Sequence, residues 1–364
     1  MKTNELTRRE NVALALKTLF RRYGYQPYQM TQFEEYDLYV NNREFLVDER
    51  VITFNESGKL FALKPDVTLS IIKRHTPQKG VKEKVSYNEN VYRFSAAAGR
   101  YKEILQAGVE TLGDLDLYDV AENVLVAAES LSFLGAPFYL ALSHLGVLSA
   151  LLKETGKGEA FCGEAQRLVS EKNAHDLLRL CASSGVEKGM AEKLVFFLSL
   201  YGERKTVLEK LAPLCSSGEA RAALEECRAL SGLIDASPFS DRVVFDFSVV
   251  NHLRYYSGVV FKGYTLGVSD SVLSGGCYDA LMQKSGKNSR GMGFAVYLDL
   301  LEDSSPSPTD ADVLLLYDEA VPLSAVQEKV LSLQKEGKSV SAQRAVPKGV
   351  RFGETVDLRK EPLC

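Results

Sequence analysis

Ile104-Leu105-Gln106-Ala107-Gly108-Val109-Glu110-Thr111-Leu112-Gly113 reads as a strand whose two faces differ in chemistry. The side-chain period of two puts Gln106, Gly108 and Glu110 on one face and Leu105, Ala107, Val109 and Thr111 on the other. A glycine between an amide and a carboxylate leaves open volume, and the flanking groups can donate and accept hydrogen bonds to a small polar ligand. The same pattern also fits a half-exposed strand with a polar outer face. Just upstream, Val91-Tyr92-Arg93-Phe94 is a second strand, joined to the first through 95–101, so Arg93 stands on a hairpin beside the notch. Its planar fork of donors suits a carboxylate or phosphate, or else marks an ordinary surface arginine.

Working outward, residues 7–23 carry Val12, Leu16, Leu19 and Phe20 at helical spacing, and Gly24 supplies the stop. From 25 to about 117 the pattern becomes β-type, with runs at 49–54, 60–63, 90–94 and 104–113, interrupted by a helical stretch at 66–74. A helix at about 118–133 precedes an almost wholly helical region, 145–235. The β signal returns at 242–250, 255–267 and 291–298, with Ser274-Gly275-Gly276 as a tight turn or an anion-binding nest. Strands on both sides of a helical block predict one sheet interrupted by an insertion. The expected organisation is therefore an α+β domain on an antiparallel sheet from 1–144 and 237–302, a helical insertion at 145–236, a linker at 303–310 and a short α/β domain at 311–364. The linker rests on Asp303-Ser304-Ser305-Pro306-Ser307-Pro308-Thr309-Asp310, which has nothing to bury.

The 364 residues, 45% hydrophobic and 25% charged, describe an ordinary soluble protein, and the polar start together with the lack of a long apolar run predicts neither leader nor membrane span. A cytoplasmic location is the resulting expectation. Six scattered cysteines and four histidines show no metal-ligand spacing, which reads as reduced thiols and structural histidines, His144 and His252 among them. A formal charge of -4 offers no global field for a nucleic-acid backbone.

Leu63-Lys64-Pro65-Asp66-Val67-Thr68, Tyr92-Arg93-Phe94, Gly99-Arg100-Tyr101-Lys102-Glu103, Gln106 and Glu110 resemble the histidyl-tRNA synthetase core in order and spacing. Tyr255-Tyr256-Ser257-Gly258, Ser274-Gly275-Gly276-Cys277-Tyr278-Asp279 and Gly291-Met292-Gly293-Phe294-Ala295 resemble its later motifs, so the likeness spans about 5–302. It implies a class II synthetase-like fold and a histidine pocket: Asp66 and Thr68 for the α-amino group, Gln106 assisting, Glu110 with Tyr255 or Tyr256 on the imidazole, and Arg93 nearby. The chemistry agrees, since an ammonium needs acceptors and each imidazole nitrogen needs a partner.

Departures from the family pattern fall where phosphate would be handled. The second motif's glutamate position reads Ser95, the histidine-specific loop's arginine position reads Asn251, and the third motif's ATP-clamping arginine position reads Leu300. Arg254, three residues after Asn251, would point to the opposite face of a strand. These losses, with a tail about half the length of the synthetase anticodon-binding domain, give the whole chain a closer resemblance to the regulatory subunits that partner short-form ATP phosphoribosyltransferase. That likeness implies a noncatalytic role in histidine biosynthesis, a complex with the catalytic subunit, L-histidine as ligand, a homodimer within a larger hetero-oligomer, no cofactor and no tRNA. A divergent histidyl-tRNA synthetase, or a paralogue serving another partner, is the alternative.

Overall fold

Two capping boxes set the helices that back the main sheet. Thr7 Oγ1 accepts from the Glu10 N–H while the Glu10 carboxylate accepts from the Thr7 N–H, starting the helix Arg8–Arg22. Asp116 and Asp119 repeat the arrangement at the start of Leu117–Ser132. The computed structural model describes residues 6–46, 50–96, 98–250, 255–301 and 309–360. It divides into two compact units, Met1–Leu301 and Glu302–Cys364.

In the first unit the described residues form a nine-stranded sheet in the order Gln26–Pro27, Lys82–Ser95, Arg100–Gly113, Arg290–Tyr297, Leu273–Cys277, Val259–Thr265, Phe138–His144, Val243–Asp246 and Tyr201–Gly202. Neighbours are antiparallel except at two places: Gln26–Pro27 beside Lys82–Ser95, and Phe138–His144 beside Val243–Asp246. The fold is thus the α+β, class II synthetase-like architecture, with the antiparallel pairing broken only at those two contacts. Alternation along the strands sorts the faces. Ala107, Val109 and Thr111 face the capped helices, where Thr111 Oγ1 accepts from Asn123 Nδ2 and pairs with Tyr25 Oη, and Phe294 packs edge-on against Phe20 at 6.1 Å. The other face carries Gln106 and Glu110. A small antiparallel sheet of Phe33–Glu35, Lys59–Leu63 and Thr53–Glu56 lies before the helix Thr68–Arg74.

Residues from Leu145 to Asp235 form helices, as their periodicity predicts: Leu145–Glu154, Glu159–Ser170, Ala174–Ser183, Lys188–Leu198, Arg204–Leu211 and Gly218–Asp235. They lie within the first compact unit. Their Leu151, Leu194 and Leu230 belong to the same buried cluster as Val109 and Phe294, and Tyr201–Gly202 adds an edge strand to the sheet.

Several sequence readings change, among them the run expected at 49–54, which is the strand Thr53–Glu56. Ser274-Gly275-Gly276 is part of the strand Leu273–Cys277, not a turn or a nest; a Cβ on Gly275 would meet Phe294 Cβ at 2.4 Å and Phe261 Cζ at 2.8 Å, so the glycine admits two rings. Phe138–His144 is an additional strand; its 140–144 stretch is buried on both faces and therefore lacks alternation. The strand expected at 242–250 ends at Asp246, whose Oδ1 accepts from the Ser248 N–H at 3.0 Å and turns the chain.

The second unit, taken by itself, is a parallel sheet in the order Val340–Gln343, Ala311–Leu316, Phe352–Asp357, with the helix Leu323–Lys335. Leu315, Val321, Val326 and Leu358 make its core. Most of the expected linker, 303–308, lies outside the described residues. No described helix is long and apolar enough to cross a membrane.

Candidate functional site

The even-numbered face of Arg100–Gly113 forms part of the wall of a cavity of about 580 Å³, within the range of roughly 300 to 1,000 Å³ usual for small-ligand sites. Asp66, Thr68, Arg93, Gln106, Glu110, Tyr255 and Tyr256 all line it. Hairpin pairing explains part of this gathering, since Tyr87 lies opposite Gly108 and Arg93 opposite Lys102 across the two long strands. The facing strand Arg290–Tyr297 contributes small residues, with Gly293 opposite Glu110 and Ala295 opposite Gly108.

Glu110 is the centre of the hydrogen bonding. It is 2% exposed, and its two oxygens accept separately: Oε1 from Thr68 Oγ1 and Oε2 from Tyr278 Oη, each at 2.6 Å. Burial pushes its pKa up to about 8, against the lowering effect of those two donors, and the charge of Asp66 raises it further. A Cβ on Gly293 would lie 1.9 Å from Glu110 Oε2, so the carboxyl uses space that exists because the facing residue has no side chain.

Asp66 stands at the start of the Thr68–Arg74 helix, where its Oδ1 accepts from the Leu69 N–H at 2.9 Å. Arg93 Nη2 lies 3.8 Å from Asp66 Oδ2, and Arg93 Nε donates to the Pro65 carbonyl at 2.7 Å, so this guanidinium braces the loop that carries Asp66. Burial raises the Asp66 pKa, with Arg93 acting in the opposite direction. Gln106 is 2% exposed, and its Nε2 has no hydrogen-bond partner among the described residues. That free donor suits an acceptor on a ligand, such as a carboxylate, more than an ammonium. Tyr255 and Tyr256 stand 4.6 Å apart between ring centroids, and Tyr255 meets Tyr278 edge-on at 6.1 Å.

Two residues absent from the sequence expectation complete the pocket. Tyr278, 1% exposed, clamps Glu110, and a Cβ on Gly291 would strike its ring at 2.2 Å. Tyr87 occupies the volume above Gly108, where a Cβ would come within 2.5 Å of its hydroxyl. The glycine notch is therefore filled from the neighbouring strand. The signal in the sequence was the glycines themselves, which mark where a partner's ring has to fit.

Ser95 and Leu300 also line the cavity. Ser95 Oγ accepts from the Ala98 N–H at 3.3 Å, and Leu300 packs partly against the main core. Neither supplies a positive charge. Asn251, Arg254 and His252 lie outside the described residues. His144 caps the helix Leu145–Glu154, accepting from the Gly146 N–H at 3.1 Å and contacting Glu226 at 3.3 Å. Among the described residues no group of His, Cys, Asp and Glu side chains is arranged to hold a metal ion.

The pattern of the family described as Histidyl-tRNA synthetase matches residues 1–301. An ATP phosphoribosyltransferase regulatory subunit of Oceanobacillus iheyensis is 26% identical over 322 residues, covering 86% of this chain and 79% of that protein. Among solved structures, an ATP phosphoribosyltransferase regulatory subunit/histidyl-tRNA synthetase from Bacillus halodurans superposes with a TM-score of 0.82 at 24% identity, over 96% of this chain and 93% of the other. A chain of the ATP phosphoribosyl transferase (HisG:HisZ) complex from Thermotoga maritima gives 0.62 at 20% identity, over 79% and 96%. The chain belongs to the histidyl-tRNA synthetase family, and along most of its length it is similar to a relative named as an ATP phosphoribosyltransferase regulatory subunit.

Proposed function

We propose that this chain is a noncatalytic regulatory subunit of ATP phosphoribosyltransferase, acting in the cytoplasm at the first step of histidine biosynthesis. In this reading it binds the short-form catalytic subunit, raises its turnover, and carries L-histidine in the cavity as the signal for inhibition. Asp66 would take the α-amino group and Glu110, with Tyr255 or Tyr256, the imidazole; Gln106 offers a donor to the carboxylate. Thr68 would accept from the same amino group through its oxygen while its hydrogen orients Glu110, and Arg93 would act on the ligand through Asp66. The assembly would contain a homodimer of this chain.

The observation that supports the proposal is the lining of the cavity: the carboxyl groups of the half-buried Asp66 and the buried Glu110, together with Ser95 and Leu300, which stand at positions the family resemblance assigns to phosphate handling. Such a site can hold an amino acid without activating it, since activation needs fixed charges at the developing phosphate charge. A chain with that property influences metabolism through a partner whose states it biases, and the bias is a coupling free energy that acts equally in both directions. The name of the Oceanobacillus relative and the composition of the Thermotoga complex support the choice of partner.

The test is to mix the full chain with a short-form catalytic subunit and follow size-exclusion elution and turnover, with and without histidine. Co-elution, increased turnover, and loss of that increase with histidine are expected. Separate elution at micromolar concentrations with unchanged turnover would remove the proposal. The second reading, a divergent histidyl-tRNA synthetase, draws on the family match itself; histidine-dependent exchange of pyrophosphate into ATP would put it first.

A further inference from the structure

The clamp on Glu110 contains two hydroxyl donors and no cation. Thr68 and Tyr278 each donate to one oxygen. The cavity-lining Arg93 is directed to Asp66 and the Pro65 carbonyl, and the buried Lys64 ammonium pairs with Glu89 at 2.6 Å. Lys102 and Lys262 also line the cavity, but among the described residues no cation is hydrogen-bonded to Glu110. A buried carboxylate without a direct counter-charge is costly, so the ligand-free site favours a neutral carboxyl. Because the hydroxyl hydrogens are already directed at Glu110, the carboxyl's own proton is left for the cavity, where the imidazole would lie.

Building on the histidine reading of this cavity, we propose that Glu110 and the ligand's imidazole share a single proton, which makes histidine binding strongest in a window near neutral pH and weaker on both sides. The other groups around Glu110 do not compete for that proton. From the hairpin, Tyr87 faces it; from the later segments come Tyr255, Tyr256 and Tyr278, and burial holds all four phenols well above their ordinary range. From its own strand Gln106 does not titrate. Among the described residues the carboxyl whose charge acts on it is Asp66, from the helix start, which in this reading partners the ligand's ammonium; Asp270 and Asp299 also line the cavity.

Proton counting fixes the shape. Between the ordinary imidazole value of roughly 6.5 and the Glu110 value of about 8, the empty site carries one proton, free histidine carries none on its ring, and the complex holds one. Binding there exchanges no net proton. Below the window both partners arrive protonated and one proton must leave; above it neither is protonated and one must be taken up. Each limb should weaken affinity by up to about tenfold per pH unit.

Calorimetry of histidine binding to the full chain at pH 5.5, 7.2 and 8.8, in pairs of buffers with different ionisation heats, reads both affinity and proton count. The expected result is release of about one proton at pH 5.5, none at 7.2 and uptake at 8.8, with affinity highest at 7.2. Tyr278→Phe removes one donor to the ionised carboxylate and should move the alkaline limb to higher pH; the ligand's own amino group, which also titrates on the alkaline side, would not move with it. Binding with no proton exchange at any of the three values, or an alkaline limb unmoved in Tyr278→Phe, overturns the inference and leaves the histidine site standing. No binding at any pH removes both.

Discussion

Thr68 Oγ1 donates to Glu110 Oε1 at 2.6 Å, so the first residue of the Thr68–Arg74 helix orients a carboxyl on a strand 42 positions later in the chain. The resemblance to histidyl-tRNA synthetases implied that this hydroxyl holds the ligand's amino group, but its hydrogen is committed to Glu110. Thr68→Val keeps the shape of the side chain and removes the donor. Losing a hydrogen bond to a charged group costs about 1.5 to 3 kcal/mol, which corresponds to roughly 10- to 150-fold in affinity if Glu110 is the imidazole partner. Thr68→Ser should keep most of the binding. Calorimetry giving the same histidine affinity for the Val and Ser variants would show that the orientation of Glu110 is not what the ligand reads.

Glu110 also links folding to pH. Its folded pKa stands at about 8 against an ordinary 4.5, so between those values the folded state binds more protons than the unfolded one. Stability conferred by the neutral carboxyl is complete below the lower value and is lost as pH rises through the higher one. Glu110→Gln, which cannot ionise, should therefore melt close to wild type near pH 5 and above it at pH 8.5, a difference on the order of a few kcal/mol in the ligand-free protein. Thermal melts across pH 5 to 9 that run parallel for the two proteins would assign Glu110 an ordinary carboxylate pKa.

Activation of histidine should be absent. Ser95 and Leu300 stand on the cavity wall and position 251 is asparagine; by the resemblance to the synthetase motifs, these would replace one anion-balancing carboxylate and two cationic clamps. Single-turnover assays with ATP and histidine should show no burst of histidyl-adenylate. Restoring arginine at Asn251 and Leu300 together should leave the protein inactive, because a preorganised site depends on the residues that support its charged groups. A burst from the unmodified chain would contradict the noncatalytic role.

What could be read from sequence was local. Alternation placed Gln106 and Glu110 on one face of their strand and Val109 on the other, and helical spacing in 8–22 matched the buried Val12, Leu16, Leu19 and Phe20. Phe138–His144 escaped because its inner residues are buried on both faces, which erases the period on which the reading depends. The strand Lys82–Ser95 starts eight residues before the expected one at 90, since its charged opening pairs with a helix: Lys82 with Asp119 at 2.7 Å, and Lys84 with Glu122. Tyr278 was visible as part of a motif, but its contact with Glu110 spans 168 positions and depends on Gly291 and Gly293 leaving room. Cross-strand steric relations of that kind have no period in the chain.

Arg204 is another such long-range feature, and it makes the sharpest stability prediction for the helical region. It begins the helix Arg204–Leu211, is 5% exposed, and spends its donors on three separate pieces of structure. Nε donates to Ser231 Oγ at 3.2 Å and Nη2 to Asp235, both on the helix Gly218–Asp235. Nη2 also reaches Ser240 Oγ at 2.8 Å, while Nη1 donates to the carbonyls of Ser240 and Val243, fixing the entry to the strand Val243–Asp246. Removing the guanidinium leaves the carbonyls of Ser240 and Val243 without this donor, which costs about 1 to 3 kcal/mol for a buried unsatisfied group, while the exposed Asp235 keeps Lys205 at 3.6 Å. Arg204→Lys should recover little of this, because one ammonium cannot reach acceptors spread over a planar fork. Urea unfolding of Arg204→Met should show that loss, and hydrogen exchange should show protection falling across 204–246 before it falls in the strand Arg100–Gly113. A change below about 1 kcal/mol, or a uniform loss of protection over both regions, would mean that the helices hold the Val243–Asp246 edge through apolar packing and not through this guanidinium.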